Sequence, residues 1–136
     1  MGASGEDQMV AFVMHNGPAW TGINANVFGL RNASNTSQVL LCSDTGREGG
    51  DDCFVTRAMC NAPAIKGKSI DHSVTVVGFG HDKRRGPFWE IKNSWSLAFG
   101  THGFVKVARG IGCAGLGSAV MNTYGDVDEY KCPHGC

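Results

Sequence analysis

The chain has 136 residues, and its 12 Lys and Arg balance its 12 Asp and Glu, so the formal net charge is zero with histidine neutral. This length suits one domain with a single core, and we expect residues 1–136 to form it. The charge balance argues against a nucleic-acid partner. No apolar run reaches the roughly 18 residues that would predict a membrane span.

A helix is the first element predicted along the chain, over residues 6–18. Met9, Phe12 and Val13 fall on one helical face, and a Gly-Pro pair ends the pattern. A strand is predicted next, over residues 19–28, where apolar residues recur.

A long segment without clear periodicity follows, from about residue 29 to residue 69. It is polar, rich in Gly, Asn, Ser and Asp, and too long for an ordinary loop. Because Cys42, Cys53 and Cys60 lie within it, we expect disulfide bonds to staple this loop.

Beyond residue 69 the sequence becomes rich in Val, Ile, Phe and Trp, and short turns separate the apolar stretches. Strands are predicted over residues 72–80, 87–94, 103–109 and 117–123, with a charged hairpin loop over residues 81–87. Short strands with close connections predict an antiparallel sheet that curls into a barrel. With one packed N-terminal helix, the fold class is α+β.

Six cysteines in so short a chain favour an oxidising compartment. The tail Cys132-Pro133-His134-Gly135-Cys136 suggests a metal site as an alternative. Its spacing is tighter than that of the usual Cys-x2-Cys pairs, and no second pair stands nearby. We therefore expect no metal and no cofactor, and metal binding is the least favoured function.

Two short sequence segments carry side chains suited to thiol catalysis. In the first, His72 opens an apolar strand, and in the second, Asn93 follows one, with Trp95 two residues later. Histidine takes and returns a proton near neutral pH, and an Asn amide oxygen can hold the ring in one tautomer. A nearby tryptophan can shield that hydrogen bond from water. These parts belong to a Cys-His-Asn site.

These two segments resemble the His and Asn segments of papain-family cysteine peptidases similar to cathepsins L and F. Gly78-Phe79-Gly80, Arg109-Gly110 and Cys113-Ala114-Gly115 follow in the family's order. The resemblance covers about residues 6 to 122 and implies the C-terminal, barrel-like half of the papain fold. It also implies a secreted protein, lysosomal, vacuolar or extracellular.

The resemblance assigns roles to individual residues. His72 and Asn93 are the implied catalytic residues for hydrolysis of a peptide bond, with Trp95 and Asp71 supporting them. A further set is implied by position alone: a substrate groove lined by Ala19, Ile23 and Ser69, and a disulfide bond between Cys60 and Cys113.

The nucleophile of the family has no counterpart here. It lies roughly 130–150 residues before the His, in a motif where Trp follows Cys. Only 71 residues precede His72, and no cysteine in the chain precedes a Trp. We expect this chain alone to be inactive and to need an N-terminal papain-like domain or chain that bears the cysteine.

Two interpretations of the missing nucleophile stay open. The chain is part of a two-part peptidase that acts on peptides or proteins, or it is an inactive half-domain that serves as a structural subunit of a larger assembly. Ser96 stands where the family usually has Gly, and Phe99 where it has Trp, which favours the second. In either case we expect exposed apolar surface that a partner covers.

Overall fold

The structure, a computed structural model, describes residues 5–29, 54–63, 65–97, 99–118 and 120–121. Its elements in chain order are α1 (Gly5–Asn16), β1 (Ala19–Ile23), a 3₁₀ helix (Ala25–Gly29), β2 (Phe54–Val55), α2 (Arg57–Cys60), β3 (His72–Asp82), β4 (Gly86–Lys92), β5 (Phe104–Ala108), a 3₁₀ turn (Cys113–Gly115) and β6 (Val120–Met121). No helix in these described ranges is long and apolar enough to cross a bilayer.

The strands form one six-stranded sheet in the order β2-β5-β4-β3-β1-β6. Four neighbouring pairs are antiparallel, and β2 runs parallel to β5. The predicted α+β class is therefore confirmed. Of the predicted last strand, over residues 117–123, the structure describes residues 117–118, which are not in a strand, and residues 120–121, which form β6.

The β3–β4 hairpin is tighter than the sequence suggested. β3 continues to Asp82 and β4 begins at Gly86, so a three-residue turn replaces the predicted loop over residues 81–87. The Asp82 carboxylate accepts the backbone N–H of Arg84 at 2.8 Å and that of Arg85 at 2.7 Å. These bonds close the turn and let the strands pair up to its edge.

One face of the sheet forms the core with α1. Strand alternation supplies the buried residues, which include Ile23, Val74, Val76, Trp89, Ile91, Val105 and Val107. The β3–β4 register shifts between Val76 and Gly78, a β-bulge. The bulge adds one residue to β3, so that Phe79 pairs with Trp89 of β4.

Helix α1 buries the predicted face but also a carboxylate that the pattern missed. Met9 and Val13 are buried as expected, and Glu6 is only 5% exposed. Glu6 Oε1 accepts the Trp89 indole N–H at 2.8 Å, and Oε2 accepts the backbone N–H of Gly110 and Gly112 at 3.0 and 2.8 Å. Hydrogen bonds from three N–H groups compensate for the burial of this acid.

The strand predicted over residues 19–28 is wrong in its second half. The strand ends at Ile23, and a 3₁₀ helix, Ala25–Gly29, follows. Asn24 explains the break, because its Oδ1 accepts the Asn26 N–H at 3.1 Å and turns the backbone. The apolar Val27 and Phe28 are buried all the same.

The segment predicted as a loop from about residue 29 contains β2 and α2 near its end. Strand β2 has two residues, which pair with Lys106 and Val107 of β5. An edge strand this short shows no periodicity in the sequence, so it was not predicted. The Cys60 and Cys113 sulfurs form a disulfide bond, S–S 2.01 Å, which ties α2 to the turn after β5. This is the pairing that the family resemblance implies. Cys42 and Cys53 lie outside the described residues.

Two carboxylates should give opposite contributions to the pH dependence of stability. Partial burial between strands raises the pKa of Glu90 above 4.5, with Lys106 opposing. The N–H donors of Arg85 and Arg84 lower the pKa of Asp82 below 3.8. Glu90 therefore costs stability as pH rises through its raised pKa. Asp82 contributes stability that is lost as pH falls through its lowered pKa.

We expect Glu90→Gln to remove part of the loss of stability between pH 4.5 and 7, and Asp82→Asn to weaken the loss below pH 4. Urea unfolding midpoints across this pH range measure both effects. The two variants serve as mutual controls, because each removes one negative charge. Parallel pH profiles for both would contradict the prediction.

Candidate active site

Strand pairing brings His72 and Asn93 together. His72 opens β3, and Asn93 directly follows β4. Because these strands are antiparallel, the start of β3 and the end of β4 lie at the same end of the sheet. His72 Nε2 lies 2.8 Å from Asn93 Oδ1. Asn93 is 7% exposed, and His72 is half-buried.

A second hydrogen bond fixes the orientation of the Asn93 amide. The backbone N–H of Ser94 donates to Asn93 Oδ1 at 2.8 Å. Because that partner is a donor, the atom beside His72 is the amide oxygen, and Nε2 must carry the proton. Neutral His72 then presents the lone pair of Nδ1, to which no described residue is hydrogen-bonded, as a proton acceptor.

We expect the imidazole ¹⁵N shifts to report this tautomer. The neutral imidazole of His72 should show a protonated Nε2 and an unprotonated Nδ1, and Asn93→Ala should move it toward a mixture of tautomers. The exposed His81, at the opposite end of β3 from His72, serves as internal control, because its shifts should not change. A dominant Nδ1–H form of His72 in the unmodified chain would contradict the geometry.

An aromatic cluster surrounds this hydrogen bond. The Trp95 ring lies 5.0 Å from the His72 ring at an interplanar angle of 36°, and it is 38% exposed. Phe28 and Phe99 pack edge-on against Trp95 at 5.7 and 5.6 Å, and both are buried. Trp95 is thus held beside the imidazole, as its predicted shielding role requires. Phe28 was not predicted to join this cluster, because its segment was predicted as a strand.

Asp71, predicted as a supporting residue, lies close in sequence to His72 but bonds elsewhere. Its Oδ1 accepts the N–H of Ala25 at 2.8 Å. Beside it, Asn24 Nδ2 donates to the Ser69 carbonyl oxygen at 2.6 Å. These bonds hold the 3₁₀ helix that carries Phe28, so Asp71 acts on the cluster through the backbone.

The predicted groove residues differ in exposure. Ala19 and Ile23 are 1% and 0% exposed, since strand alternation directs their side chains into the core, so only their backbone is left to line a groove. Ser69 is exposed. Trp20, on the opposite face of β1, is 50% exposed.

A cavity of about 360 Å³ lies on that opposite face, next to Asn93. It is lined by Trp20, Ser73, Val74, Thr75, Lys92, Asn93 and Ser94. The apolar surface expected to stay exposed includes Trp95, whereas Trp89 and Phe99 are buried. Trp20 is the exposed aromatic that the sequence reading did not single out.

The loop after Asn93 holds strained backbone. Ser96 has φ 76°, a left-handed value that glycine adopts without penalty. Serine at this position therefore adopts a left-handed conformation at an energetic cost. Nearby, the buried Nδ2 of Asn93 has no hydrogen-bond acceptor within the part of the chain that the structure describes.

Ser96→Gly should stabilise the chain, by up to about 1 kcal/mol, because relief of the left-handed strain exceeds the added backbone entropy of glycine. Chemical denaturation measures the change. Ser94→Gly, where φ is not in the left-handed range, is the matched control and should destabilise. Equal losses in the two variants would show that Ser96 is not strained.

No group of three or more His, Cys, Asp or Glu side chains suited to a metal ion occurs among the described residues. The predicted alternative, the tail from Cys132 to Cys136, lies outside them.

Known proteins match this chain over most of its length. A family model described as papain family cysteine protease matches residues 2–124. The probable cysteine protease RD19C of Arabidopsis thaliana is 32% identical over 114 residues, 79% of this chain and 24% of that protein. Cathepsin L1 of Drosophila melanogaster is 39% identical over 56 residues, 41% of this chain and 15% of that protein.

Solved structures share the fold. Digestive procathepsin L 3 from the larval midgut of Tenebrio molitor superposes with a TM-score of 0.54 at 22% identity, over 87% of this chain and 32% of that one. Procathepsin L2 from the same tissue gives 0.52 at 21% identity, over 85% and 29%. The chain thus spans about a third or less of the relatives it matches. It belongs to the papain family of cysteine proteases.

Proposed function

We propose that this chain supplies the histidine and asparagine of a Cys-His-Asn peptidase site, and that a cysteine-bearing domain or chain supplies the nucleophile. The observation that carries the proposal is the His72–Asn93 hydrogen bond of 2.8 Å, with its tautomer set by the Ser94 N–H. This arrangement leaves Nδ1 of His72 as the base.

The proposed reaction begins with proton transfer from the partner's thiol to His72 Nδ1, which forms a thiolate–imidazolium pair. The thiolate sulfur attacks the carbonyl carbon of a peptide bond, and the C–N bond breaks as Nδ1–H protonates the leaving amine. His72 then takes a proton from water, whose oxygen attacks the carbonyl carbon of the thioester. The C–S bond breaks, the carboxylic acid is released, and the imidazolium proton returns to the sulfur. Asn93 holds the ring throughout, and Trp95 limits access of water to that bond.

The described cysteines do not provide this thiol. Cys60 and Cys113 are joined to each other, and a disulfide sulfur carries no proton to transfer. Other features support a missing partner: the exposed Trp20 and Trp95, and the unpaired Asn93 Nδ2, a buried donor that costs stability until an acceptor reaches it.

An inactive half-domain within a larger assembly is the second candidate. The observation that favours it is the strained Ser96, three residues after Asn93 and directly after Trp95, since selection for catalytic geometry would favour glycine there. The disulfide bond supports a secretory-pathway setting, lysosomal, vacuolar or extracellular, for both candidates.

Native purification separates the two candidates. For the peptidase, we expect a particle larger than 14.4 kDa that contains a chain or segment with a Cys-Trp motif, reactive toward an iodoacetamide-type reagent at that cysteine. An assembly that contains this chain but no such segment, and that shows no peptidase activity sensitive to alkylation, would favour the structural-subunit function.

A further inference from the structure

Asn24 is a buried polar residue that has no part in the proposed reaction. It stands between the end of β1 and the 3₁₀ helix that follows, and it is only 3% exposed. A buried amide costs free energy unless hydrogen bonds satisfy it, so its partners show which segments of the chain it joins.

The Asn24 side chain joins two segments that are 45 residues apart in sequence. Its Oδ1 accepts the Asn26 N–H at 3.1 Å, which turns the chain into the 3₁₀ helix. Its Nδ2 donates to the Ser69 carbonyl oxygen at 2.6 Å, and we call this hydrogen bond the amide bridge. The Asn24 backbone is fixed as well, because its N–H donates to the Ala114 carbonyl oxygen at 2.8 Å.

The amide bridge holds the segment that leads into His72. Ser69 is exposed, so packing contributes little to its position. Further along, the Asp71 N–H donates to the Ile23 carbonyl oxygen at 3.3 Å, and Asp71 Oδ1 accepts the Ala25 N–H at 2.8 Å. Ile23 then pairs with His72 in the β1–β3 register. The bridge is therefore the first in a series of contacts that set where the His72 backbone begins.

The same side chain also holds the aromatic cluster beside the imidazole. The 3₁₀ helix that Asn24 turns carries Phe28, which is fully buried and packs edge-on against Trp95 at 5.7 Å. The Trp95 ring lies 5.0 Å from that of His72. Asn24 thus acts on His72 from two sides, through the backbone that precedes it and through the ring that packs on it.

We propose that Asn24 is a positioning residue for His72. Its amide bridge keeps the His72 backbone and the Trp95 ring in fixed relative positions. As a result, His72 Nε2 stays within hydrogen-bond distance of Asn93 Oδ1, and the Nδ1 lone pair keeps its direction. The catalytic consequence rests on the proposed function, whereas the effect on the His72 tautomer does not.

Two substitutions remove the bridge and keep the turn. Asn24→Asp has the same shape and retains an acceptor for the Asn26 N–H, but it lacks the Nδ2 donor. Asn24→Ser also retains an acceptor, and its side chain is one bond too short to reach Ser69. Asn16→Asp and Asn16→Ser are the matched controls, because Asn16 Nδ2 likewise donates to a backbone carbonyl oxygen, that of Phe12 at 3.3 Å, at an exposed position.

The first measurement is the ¹⁵N spectrum of the neutral His72 imidazole in the 136-residue chain, which needs no nucleophile. We expect both Asn24 variants to shift it from the Nε2–H form toward a mixture of tautomers, by less than Asn93→Ala does. Both Asn16 variants should leave it unchanged. An unchanged His72 spectrum in the folded Asn24 variants, whatever their unfolding temperature, would overturn the proposal, because Asn24 would then be only structural. If Asn24→Asp does not fold, Asn24→Ser decides, since it brings no charge into the core.

The second measurement joins the chain to a cysteine-bearing papain-type half. We expect the Asn24 variants to lower kcat by about tenfold to a hundredfold with little change in KM, because a misplaced catalytic group slows the reaction without weakening substrate binding. The Asn16 variants should match the unmodified chain. A raised KM with unchanged kcat would overturn the positioning role. An inactive unmodified assembly would overturn the proposed function and leave the tautomer measurement to decide the role of Asn24.

Discussion

The 136-residue chain assayed alone should hydrolyse no peptide at a thiol-dependent rate. The physical reason is the nucleophile: His72 has a base at Nδ1, but the described cysteines, Cys60 and Cys113, are bonded to each other. Hydrolysis of fluorogenic peptides, with and without an alkylating reagent, measures this. Thiol-dependent turnover that disappears in His72→Ala would contradict the expectation.

Joined to a cysteine-bearing papain-type half, the same chain should become active. His72→Ala should then lower kcat by a factor on the order of 10⁴ to 10⁶, because removal of the base disables the whole catalytic unit. Asn93→Ala should cost less, since the base stays and only its orientation is lost. The exposed His81→Ala, at the far end of β3, is the control and should leave kcat unchanged. An unaffected His72→Ala enzyme would favour the structural-subunit function.

Loss of the Cys60–Cys113 bond should cause the largest change in stability. The bond joins residues 53 apart in sequence. A closed loop of this length contributes on the order of 4 kcal/mol by restricting the unfolded chain. A domain of this size has a total stability of roughly 5–15 kcal/mol. We expect Cys60→Ala/Cys113→Ala to lower the urea midpoint sharply, and alanine avoids a buried hydroxyl at these two buried positions.

Peptide mapping under non-reducing conditions provides the control. It should recover Cys60 and Cys113 in one linked peptide pair from the unmodified chain. Recovery of Cys60 as a free thiol, or linked to Cys42 or Cys53, would contradict the pairing. A double variant within about 1 kcal/mol of the unmodified chain would show that the loop is restricted by other means.

Part of this molecule could be predicted from the sequence because the information is local. The buried face of α1 and the apolar strands β3, β4 and β5 follow from periodicity. The segments around His72 and Asn93 predict that the two side chains meet, since His72 opens a strand and Asn93 follows the strand that pairs with it in a hairpin. An antiparallel hairpin then leaves little choice about where the two ends meet.

Other features could not be predicted because they depend on residues distant in the chain. Glu6 resembles a solvent-facing residue of a first helical turn, yet it is buried, because donors more than 80 positions away reach it. The 3₁₀ helix that carries the buried Phe28 is held by hydrogen bonds from Asn24 to Ser69 and from Ala25 to Asp71.

The sequence by itself determined the fold class and the chemical identity of the candidate site. Tertiary structure alone decided the tautomer of His72 and the position of the aromatic cluster around Trp95. The physical reason is the same in each case. Residue types and local periodicity specify which elements form and which side chains they carry. Strand register and long-range hydrogen bonds specify which of those side chains meet.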